Sequence, residues 1–179
     1  FCGIDEARTA WCWGWGPSRS TGGPDEAWSP PHRVAAAFDG LTGISFGEFH
    51  GCVLDADHRA LCWGANESGQ SGSGDSDLGA FAPEPLPVSG SRSFRSIASS
   101  PHHNCAIATS DAAAWCWGSN DVGQLGHPLT HHEGCQGPDR PSGWLCELVP
   151  VPVAGGHPFT SIELGTEYSC GLDVQSHTW

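Results

Sequence analysis

Residues 47–54 read GEFHGCVL and residues 60–70 read ALCWGANESGQ, and these two runs decide the fold. The same order of residue types returns within residues 103–126 as HNCAI, then WCWGSN, then GQLG. Two further copies are recognisable, CGI at 2–4 with WCWG at 11–14, and YSCGL at 168–172. The first cysteines of the four copies lie 50, 53 and 65 residues apart, at Cys2, Cys52, Cys105 and Cys170. The sequence is therefore an array of one unit of about fifty residues.

Each complete copy has the pattern of a β-hairpin. In the second copy, CVL at 52–54 leads to polar residues at 55–59, and ALCW follows at 60–63. Two apolar runs around a polar tip are typical of two antiparallel strands. A further short segment, FRSI at 94–97 or FTSI at 159–162, precedes a hairpin. No stretch is long and periodic enough for a helix, so the sequence predicts an all-β protein.

Cysteines occupy matching positions on the two strands of each hairpin. If Asp57 lies at the tip, Cys52 and Cys62 face each other at a distance that a disulfide can span. The pairs predicted in this way are Cys2–Cys12, Cys52–Cys62 and Cys105–Cys116. The third pair is one residue further apart, which a bulge or a longer tip would absorb. Buried free thiols are the alternative, because cysteine is among the most buried residue types.

The third unit is longer than the others, and its extra residues lie between 126 and 149. This insertion contains His127, His131, His132, Cys135 and Cys146. The two cysteines have the eleven-residue separation of a hairpin pair and not the tight spacing of structural zinc ligands. A fourth disulfide, Cys135–Cys146, is therefore the prediction, and a zinc site is the alternative. A calcium loop around residues 74–77 is a further alternative, although it lacks the glycine and glutamate of the usual pattern.

The repeated residues resemble the regulator of chromosome condensation repeat, the unit of a large group of β-propellers that also includes a bacterial β-lactamase inhibitory protein. The resemblance rests on Gly47, His50, Leu54, Trp63, Gly64, Asn66, Gly69 and Gln70, and on His103, Ile107, Trp117, Gly118, Asn120 and residues 123–126. Ser100 and Tyr168 depart from the glycine and histidine of the pattern. The resemblance implies four-stranded blades around an axis, with Trp13, Trp63 and Trp117 packed between blades. It also implies that the asparagines bond to the backbone of their own turns.

The resemblance implies one incomplete propeller over residues 1–179. Its units are expected at approximately 1–50, 51–103 and 104–168, with the start of a fourth at 169–179. Propellers contain about 4 to 8 blades, so these units cannot close a ring alone, and a longer chain or further copies would supply the rest. Thr178 and Trp179 occupy the two places that precede the second cysteine of a copy. We therefore expect Cys170, which is unpaired in this window, to bond to a cysteine just beyond Trp179.

Composition limits the possible partners and the compartment. Lys and Arg number 7 against 20 Asp and Glu, which gives a formal charge of −13. Attraction to phosphate backbones is therefore not expected, and this counts against nucleic-acid binding, a chromatin role and the guanine-nucleotide exchange activity that the resemblance would otherwise imply. Nine cysteines in register predict a secreted, extracellular protein. No apolar run is long enough for a membrane span.

The sequence contains no catalytic pattern. His50 and His103 are repeat positions and are expected to form hydrogen bonds in a turn or in the core. We expect no enzyme activity, cofactor or metal. The prediction is a non-enzymatic extracellular scaffold, a structural or protein-binding component of a larger assembly. The alternatives are a soluble inhibitor-type binder and an enzyme that uses the central channel. Residues 66–68 read NES, an N-glycosylation acceptor, and Asn66 is expected to lie exposed at a turn.

Overall fold

The computed structural model describes residues 2–15, 28–33, 40–75, 81–128 and 144–179. Within these ranges the chain forms strands and no helix, which confirms the all-β prediction. The strands are β1 (Cys2–Ile4), β2 (Ala10–Trp15), β3 (Trp28–Arg33), β4 (Gly43–Phe46), β5 (His50–Leu54), β6 (Ala60–Ala65), β7 (Phe81–Pro87), β8 (Phe94–Ser99), β9 (His103–Ala108), β10 (Ala114–Ser119), β11 (Cys146–Pro152), β12 (Phe159–Leu164) and β13 (Ser169–Asp173).

The strands form four consecutive antiparallel sheets, which we call blades one to four. Blade two contains β4 to β7 and blade three contains β8 to β11, each with its four strands in chain order. Blade one contains β1 to β3, and blade four contains β12 and β13. Counted by sheets, blade two spans residues 43–87 and blade three spans 94–152, so each begins one strand before the first cysteine of its copy. The fold is an incomplete β-propeller.

The register of each hairpin places its cysteines opposite one another. Cys2 pairs with Cys12, Cys52 with Cys62 and Cys105 with Cys116. The third hairpin absorbs its extra residue at the tip, because the pair that closes this tip encloses residues 108–113. The corresponding tip of blade two encloses residues 55–59.

Neighbouring blades pack face to face. Strand β8 of blade three contacts β4 and β5 of blade two, and β12 of blade four contacts β8 and β9 in the same way. Between blades two and three the buried core includes Leu54, Val88, Phe94 and Trp117. The core therefore lies between the sheets, and side chains that cross these joints hold the array together.

The third strand of each complete blade departs from regular pairing beside its tryptophan. The register between β6 and β7 shifts just before Gly64, and that between β10 and β11 shifts just before Gly118. These glycines have φ of 100° and 104°. A Cβ on Gly64 would lie 2.4 Å from the Phe49 carbonyl oxygen, and one on Gly118 would lie 2.6 Å from that of His102. Only glycine combines this conformation with so close a backbone approach.

Candidate functional site at the joints between blades

Three cross-strand disulfides staple the hairpins of blades one to three. Their Cα–Cα distances are 4.1, 4.2 and 4.1 Å for Cys2–Cys12, Cys52–Cys62 and Cys105–Cys116. Cys146 is also disulfide-bonded, but Cys135 lies outside the described residues, so the Cys135–Cys146 pair stays a prediction. Cys170 in blade four is a free, exposed thiol.

A chain of buried hydrogen bonds joins blade two to blade three. His50 Nε2 lies 2.8 Å from Asn104 Oδ1, and Asn104 Nδ2 donates to the Gln70 carbonyl over 3.0 Å. Because the NH₂ group of Asn104 faces a carbonyl, its Oδ1 is the acceptor, and His50 must carry its proton on Nε2. All three side chains are at most 2% exposed. The chain therefore crosses the joint without access to solvent.

The same arrangement recurs between blades three and four. His103 Nε2 lies 3.0 Å from Ser169 Oγ, which donates to the Gln124 carbonyl over 2.8 Å. A hydroxyl has one proton, so Ser169 must accept the proton of His103 Nε2. Ser169 thus bridges this joint with a hydroxyl where Asn104 bridges the previous one with an amide. The two bridging residues follow His103 and Tyr168, which hold the histidine position of their repeats, and sequence reasoning missed both.

The other ring nitrogen distinguishes the two joints. His103 Nδ1 lies 2.7 Å from the Ser100 hydroxyl. The residue equivalent to Ser100 in blade two is Gly47, and His50 Nδ1 is buried without a hydrogen-bond partner in the described part of the chain. A Cβ on Gly47 would lie 2.3 Å from the Ser100 carbonyl oxygen. Serine in place of the repeat glycine at position 100 therefore gives His103 Nδ1 a hydrogen-bond partner. There is no room for a serine at Gly47.

His50 and His103, which we call the joint histidines, are neutral at neutral pH. Burial is the main cause that lowers the pKa of His50 to about 4, and the hydrogen bond to Asn104 opposes it. Burial likewise lowers the pKa of His103 to about 4, with the charges of His102 and His50 acting in the same direction. The Nε2 atom of each is used in a cross-blade bond, as expected for residues of the core.

A second contact between blades uses the hairpin tips. Arg8, His58 and Ala112 have positive φ, of 59°, 63° and 59°. The carbonyl of each accepts a backbone N–H from the start of the next blade, the donors being Leu41, Phe94 and Phe159 at 3.1, 2.7 and 2.9 Å. A left-handed conformation costs a non-glycine residue roughly 1–2 kcal/mol, so the strain at each tip coincides with a bond to the neighbouring blade. No residue type marks these positions in the sequence.

Two of the three repeat tryptophans pack between blades. Trp117 is fully buried against blade two, and Trp63 is 6% exposed beside Ala10 and Cys12 of blade one. Trp13 is 41% exposed, and its packing between blades stays a prediction. Each buried tryptophan packs on the preceding blade, and the described residues contain no blade before β1 to receive Trp13.

The turn that carries Asn66 is buried, contrary to the predicted exposure. Asn66 is 7% exposed and Ser68 is fully buried. Asn66 Oδ1 accepts the N–H of Ser71 over 2.9 Å, and the equivalent Asn120 Oδ1 accepts that of Leu125 over 3.1 Å, as the family resemblance implied. Glycosylation of Asn66 stays a prediction, which the burial of its side chain disfavours.

The metal alternatives gain no support from the residues that can be placed. Within the described ranges no three His, Cys, Asp or Glu side chains form a group that could hold a metal ion. His127 Nδ1 lies 3.1 Å from the Pro152 carbonyl oxygen. His131, His132 and Cys135 lie outside the described residues, as do residues 76 and 77 of the calcium alternative. In the same part of the chain, no helix is long and apolar enough to cross a membrane.

The fold defines a class of protein, the repeat β-propellers, and two of its joints, between blades two and three and between blades three and four, each contain one buried histidine. Family models described as the regulator of chromosome condensation (RCC1) repeat match residues 42–70, 94–124 and 111–172. The chain belongs to this family, which confirms the resemblance drawn from the repeat residues.

Relatives and solved structures agree with this assignment. The chain is 33% identical over 115 residues to the RCC1 domain-containing protein RUG3, mitochondrial, of Arabidopsis thaliana, a match that covers 63% of this chain and 25% of RUG3. It is 30% identical over 105 residues to the ultraviolet-B receptor UVR8 of the same plant, covering 58% and 22%. Yeast RCC1 (Prp20), solved bound to Kap60, superposes with a TM-score of 0.79 at 20% identity over 99% of this chain and 40% of that one. The chain spans about a quarter of the length of these curated relatives.

Proposed function

We propose that this chain works outside the cell as a non-enzymatic scaffold, a structural or protein-binding component of a larger assembly. The observation that carries the proposal is the cross-strand disulfide in each of blades one to three. Such bonds persist in oxidising compartments and are rare where thiols are kept reduced. Their repetition in register favours a stable compartment of this kind over a single redox-active pair.

The buried polar groups support a structural role over catalysis. The joint histidines are the buried groups best suited to proton transfer, but their Nε2 atoms are committed to Asn104 and Ser169. Both histidines are at most 1% exposed, so a substrate cannot reach them in the folded protein. These residues couple one blade to the next, and recognition is left to the exposed loops.

Protein binding fits the family and the charge. Prp20 was solved bound to Kap60, and another study of Prp20p describes its binding to Gsp1p and histones. The present chain carries a net charge of −13, which favours a partner with a basic surface and disfavours nucleic acid. A partner bound through this charge is expected to associate more weakly as salt rises.

The test locates the full-length protein and the state of its thiols in the source organism. A membrane-impermeant label applied to intact cells, together with analysis of the medium, should find the protein outside. Alkylation before lysis should leave Cys52 and Cys62 unmodified until a reductant is added. Recovery of the protein from an intracellular fraction with both cysteines alkylated without reduction would refute the extracellular proposal.

Native sizing of the same material tests the second half of the proposal. Species larger than the chain, which dissociate at high salt into this protein and a second component or further copies, are the expected result. A monomer bound to one partner with high affinity would point to the inhibitor-type alternative instead. A monomer that recovers no partner after mild crosslinking would contradict the scaffold role.

A further inference from the structure

A groove of about 470 Å³ lies between blades three and four. It is lined by the turn before β9, the turn after β10, the two residues before β11 and the turn before β13. Its described walls include Asp121, Val122, Trp144, Leu145, Thr166 and Glu167. Two of these side chains are carboxylates, and none of the described wall residues is lysine or arginine. We call this the acidic groove.

A chain of hydrogen bonds holds the Asp121 carboxylate in the wall of the acidic groove. Gln124 Nε2 donates to the Ser119 hydroxyl over 3.2 Å, and that hydroxyl donates to Asp121 Oδ2 over 2.8 Å. The N–H of Leu145 donates to Asp121 Oδ1 over 2.7 Å. Each of these donors uses one lone pair, and a carboxylate offers about four acceptor sites. The Asp121 carboxylate is therefore fixed in place and can still accept hydrogen bonds from a ligand.

Blade two does not repeat this arrangement. Ala65 ends β6 where Ser119 ends β10, and an alanine has no hydroxyl to donate. Glu67, the equivalent of Asp121, therefore receives no hydrogen bond from that side chain. The carboxylate held in this way is a feature of blade three and not of the repeat unit.

The other walls bring an aromatic ring and a second carboxylate to the acidic groove. Trp144 is 37% exposed and Val122 is 63% exposed. Glu167 is exposed in a turn closed by the Gly165 N–H, which donates to the Tyr168 carbonyl over 2.9 Å. A guanidinium suits such walls, because its plane stacks on aromatic rings and its N–H donors pair with carboxylate oxygens. An ammonium has no plane and suits them less.

The end of the propeller that holds the acidic groove carries further negative charge. In blade three its turns lie at one end, since the Ser119 N–H donates to the His102 carbonyl, and the hairpin tip at 108–113 lies at the other. Glu48 and Glu67 occupy the equivalent turns of blade two. The chain has no lysine, and its described arginines lie toward the hairpin tips, namely Arg8, Arg33, Arg59, Arg92 and Arg95. A positively charged partner is therefore attracted to the end that holds the groove.

We propose that the acidic groove binds an arginine side chain from a basic segment of a partner protein. The guanidinium stacks on Trp144 and donates hydrogen bonds to the carboxylates of Asp121 and Glu167. Charge complementarity argues for this occupant, because both carboxylates lie at the end of the propeller away from the described arginines. The inference rests on the proposed protein-binding role, and it does not depend on the extracellular location.

Titration of the isotope-labelled whole chain with the peptide acetyl-GSRSG-amide, followed by NMR, tests the proposal. The backbone N–H of Leu145, which bonds to Asp121, reports occupation of the groove through its chemical shift. The comparison peptide carries citrulline, which keeps the shape of arginine and has no charge. The arginine peptide should bind at least about tenfold more tightly, because citrulline loses the cation–π contact and both charge pairs together. Equal dissociation constants, or no saturable shift with either peptide, would overturn the proposal.

Variants of two glutamates separate the groove from the overall charge. Glu167→Gln removes a carboxylate from the wall and should weaken binding of the arginine peptide by about two- to fivefold. Glu48→Gln removes the same charge from an exposed turn of blade two and should leave the dissociation constant unchanged. Trp144→Leu should weaken binding by about two- to fivefold through the loss of stacking. Equal losses from the two glutamate changes, or unchanged binding by Trp144→Leu, would overturn the proposal.

The chain's own Arg140 is the alternative occupant. It precedes Trp144 by four residues and lies outside the described residues. If the groove is free for a partner, Arg140→Gln should leave the affinity for the arginine peptide unchanged. A clear gain in affinity would assign the groove to Arg140 and would overturn the proposal.

Native sizing distinguishes failure of this inference from failure of the proposed function. A groove that binds no peptide, in a protein that still forms salt-sensitive assemblies, would overturn the inference and leave the scaffold role intact. A groove that binds the arginine peptide, in a protein that recovers no partner, would refute the scaffold role alone.

Discussion

Replacement of Asn104 by alanine should cost about 3–5 kcal/mol of unfolding free energy. The change removes the bond from His50 Nε2 and the bond to the Gln70 carbonyl, each worth about 1 kcal/mol net. The Gln70 carbonyl keeps the indole of Trp117 as a partner, so it adds no further penalty. His50 has no second partner, since its Nδ1 already lacks a hydrogen bond. The change would leave the Nε2–H donor of His50 buried and unsatisfied as well, which adds about 1–3 kcal/mol.

The next joint of the same protein provides the control. Ser169 bridges His103 and the Gln124 carbonyl with a single hydroxyl, so Asn104→Ser should recover part of the stability that Asn104→Ala loses. A double-mutant cycle that combines Asn104→Ala with His50→Phe isolates the interaction between the two side chains. We expect a coupling energy of about 0.5–3 kcal/mol between His50 and Asn104.

Urea denaturation of the full chain, followed by tryptophan fluorescence and circular dichroism, measures these changes. With a slope of about 2 kcal/mol per molar urea, the middle of the usual range, the midpoint for Asn104→Ala should fall by about 1.5–2.5 M at unchanged slope. A loss below about 0.5 kcal/mol, or zero coupling in the cycle with His50→Phe, would refute the view that this hydrogen bond holds blades two and three together.

Three further predictions concern the joints and the staples. The joint histidines have a pKa of about 4 in the folded protein against 6.5 in the unfolded chain, so their contribution to the free energy of unfolding is complete above pH 6.5. This contribution is lost as the pH falls toward 4, by up to about 3 kcal/mol for each histidine. Urea midpoints should therefore fall with pH across this range, and should fall less in a variant with phenylalanine at both positions. Ala112→Gly should raise stability by up to about 1 kcal/mol because φ at Ala112 is 59°. Ala113→Gly is the control and should lower stability, because Ala113 has no positive φ. Similar effects of the two changes in thermal unfolding would contradict the assignment of strain to Ala112. Loss of the Cys52–Cys62 disulfide through alanine at both positions should cost about 2–4 kcal/mol in the same urea assay, and a cost near zero would mean that the bond adds nothing to the fold.

The hairpins could be predicted from the sequence because everything that determines them is local. Cys52 and Cys62 lie symmetrically about a polar tip, so the hairpin register alone places them opposite one another. The glycines that follow the tryptophans could be expected to need special backbone geometry, and Gly64 and Gly118 have it. What each hairpin packs against is not a local property.

The prediction that Asn66 is exposed was wrong for the same reason, because the burial of its turn is not a local property. The sequence of its turn is polar and rich in glycine, which usually indicates a surface loop. In the folded chain this turn packs against blade three, and a Cβ on Gly69 would lie 2.8 Å from Leu148 Cδ2. Contact with a strand far along the chain buries Asn66 and Ser68, and no pattern within the turn itself signals that contact.

The bridging residues show why a repeat period does not reveal its joints. Asn104 and Ser169 hold equivalent positions and perform the same task, one proton accepted from a histidine and one donated to a glutamine carbonyl. Their side chains share no residue type, so a search for identical residues passes over both. The constraint at this position is chemical, because any short side chain with one acceptor and one donor can meet it. Asparagine and serine at this position are therefore both compatible with the same joint, provided that both hydrogen bonds survive.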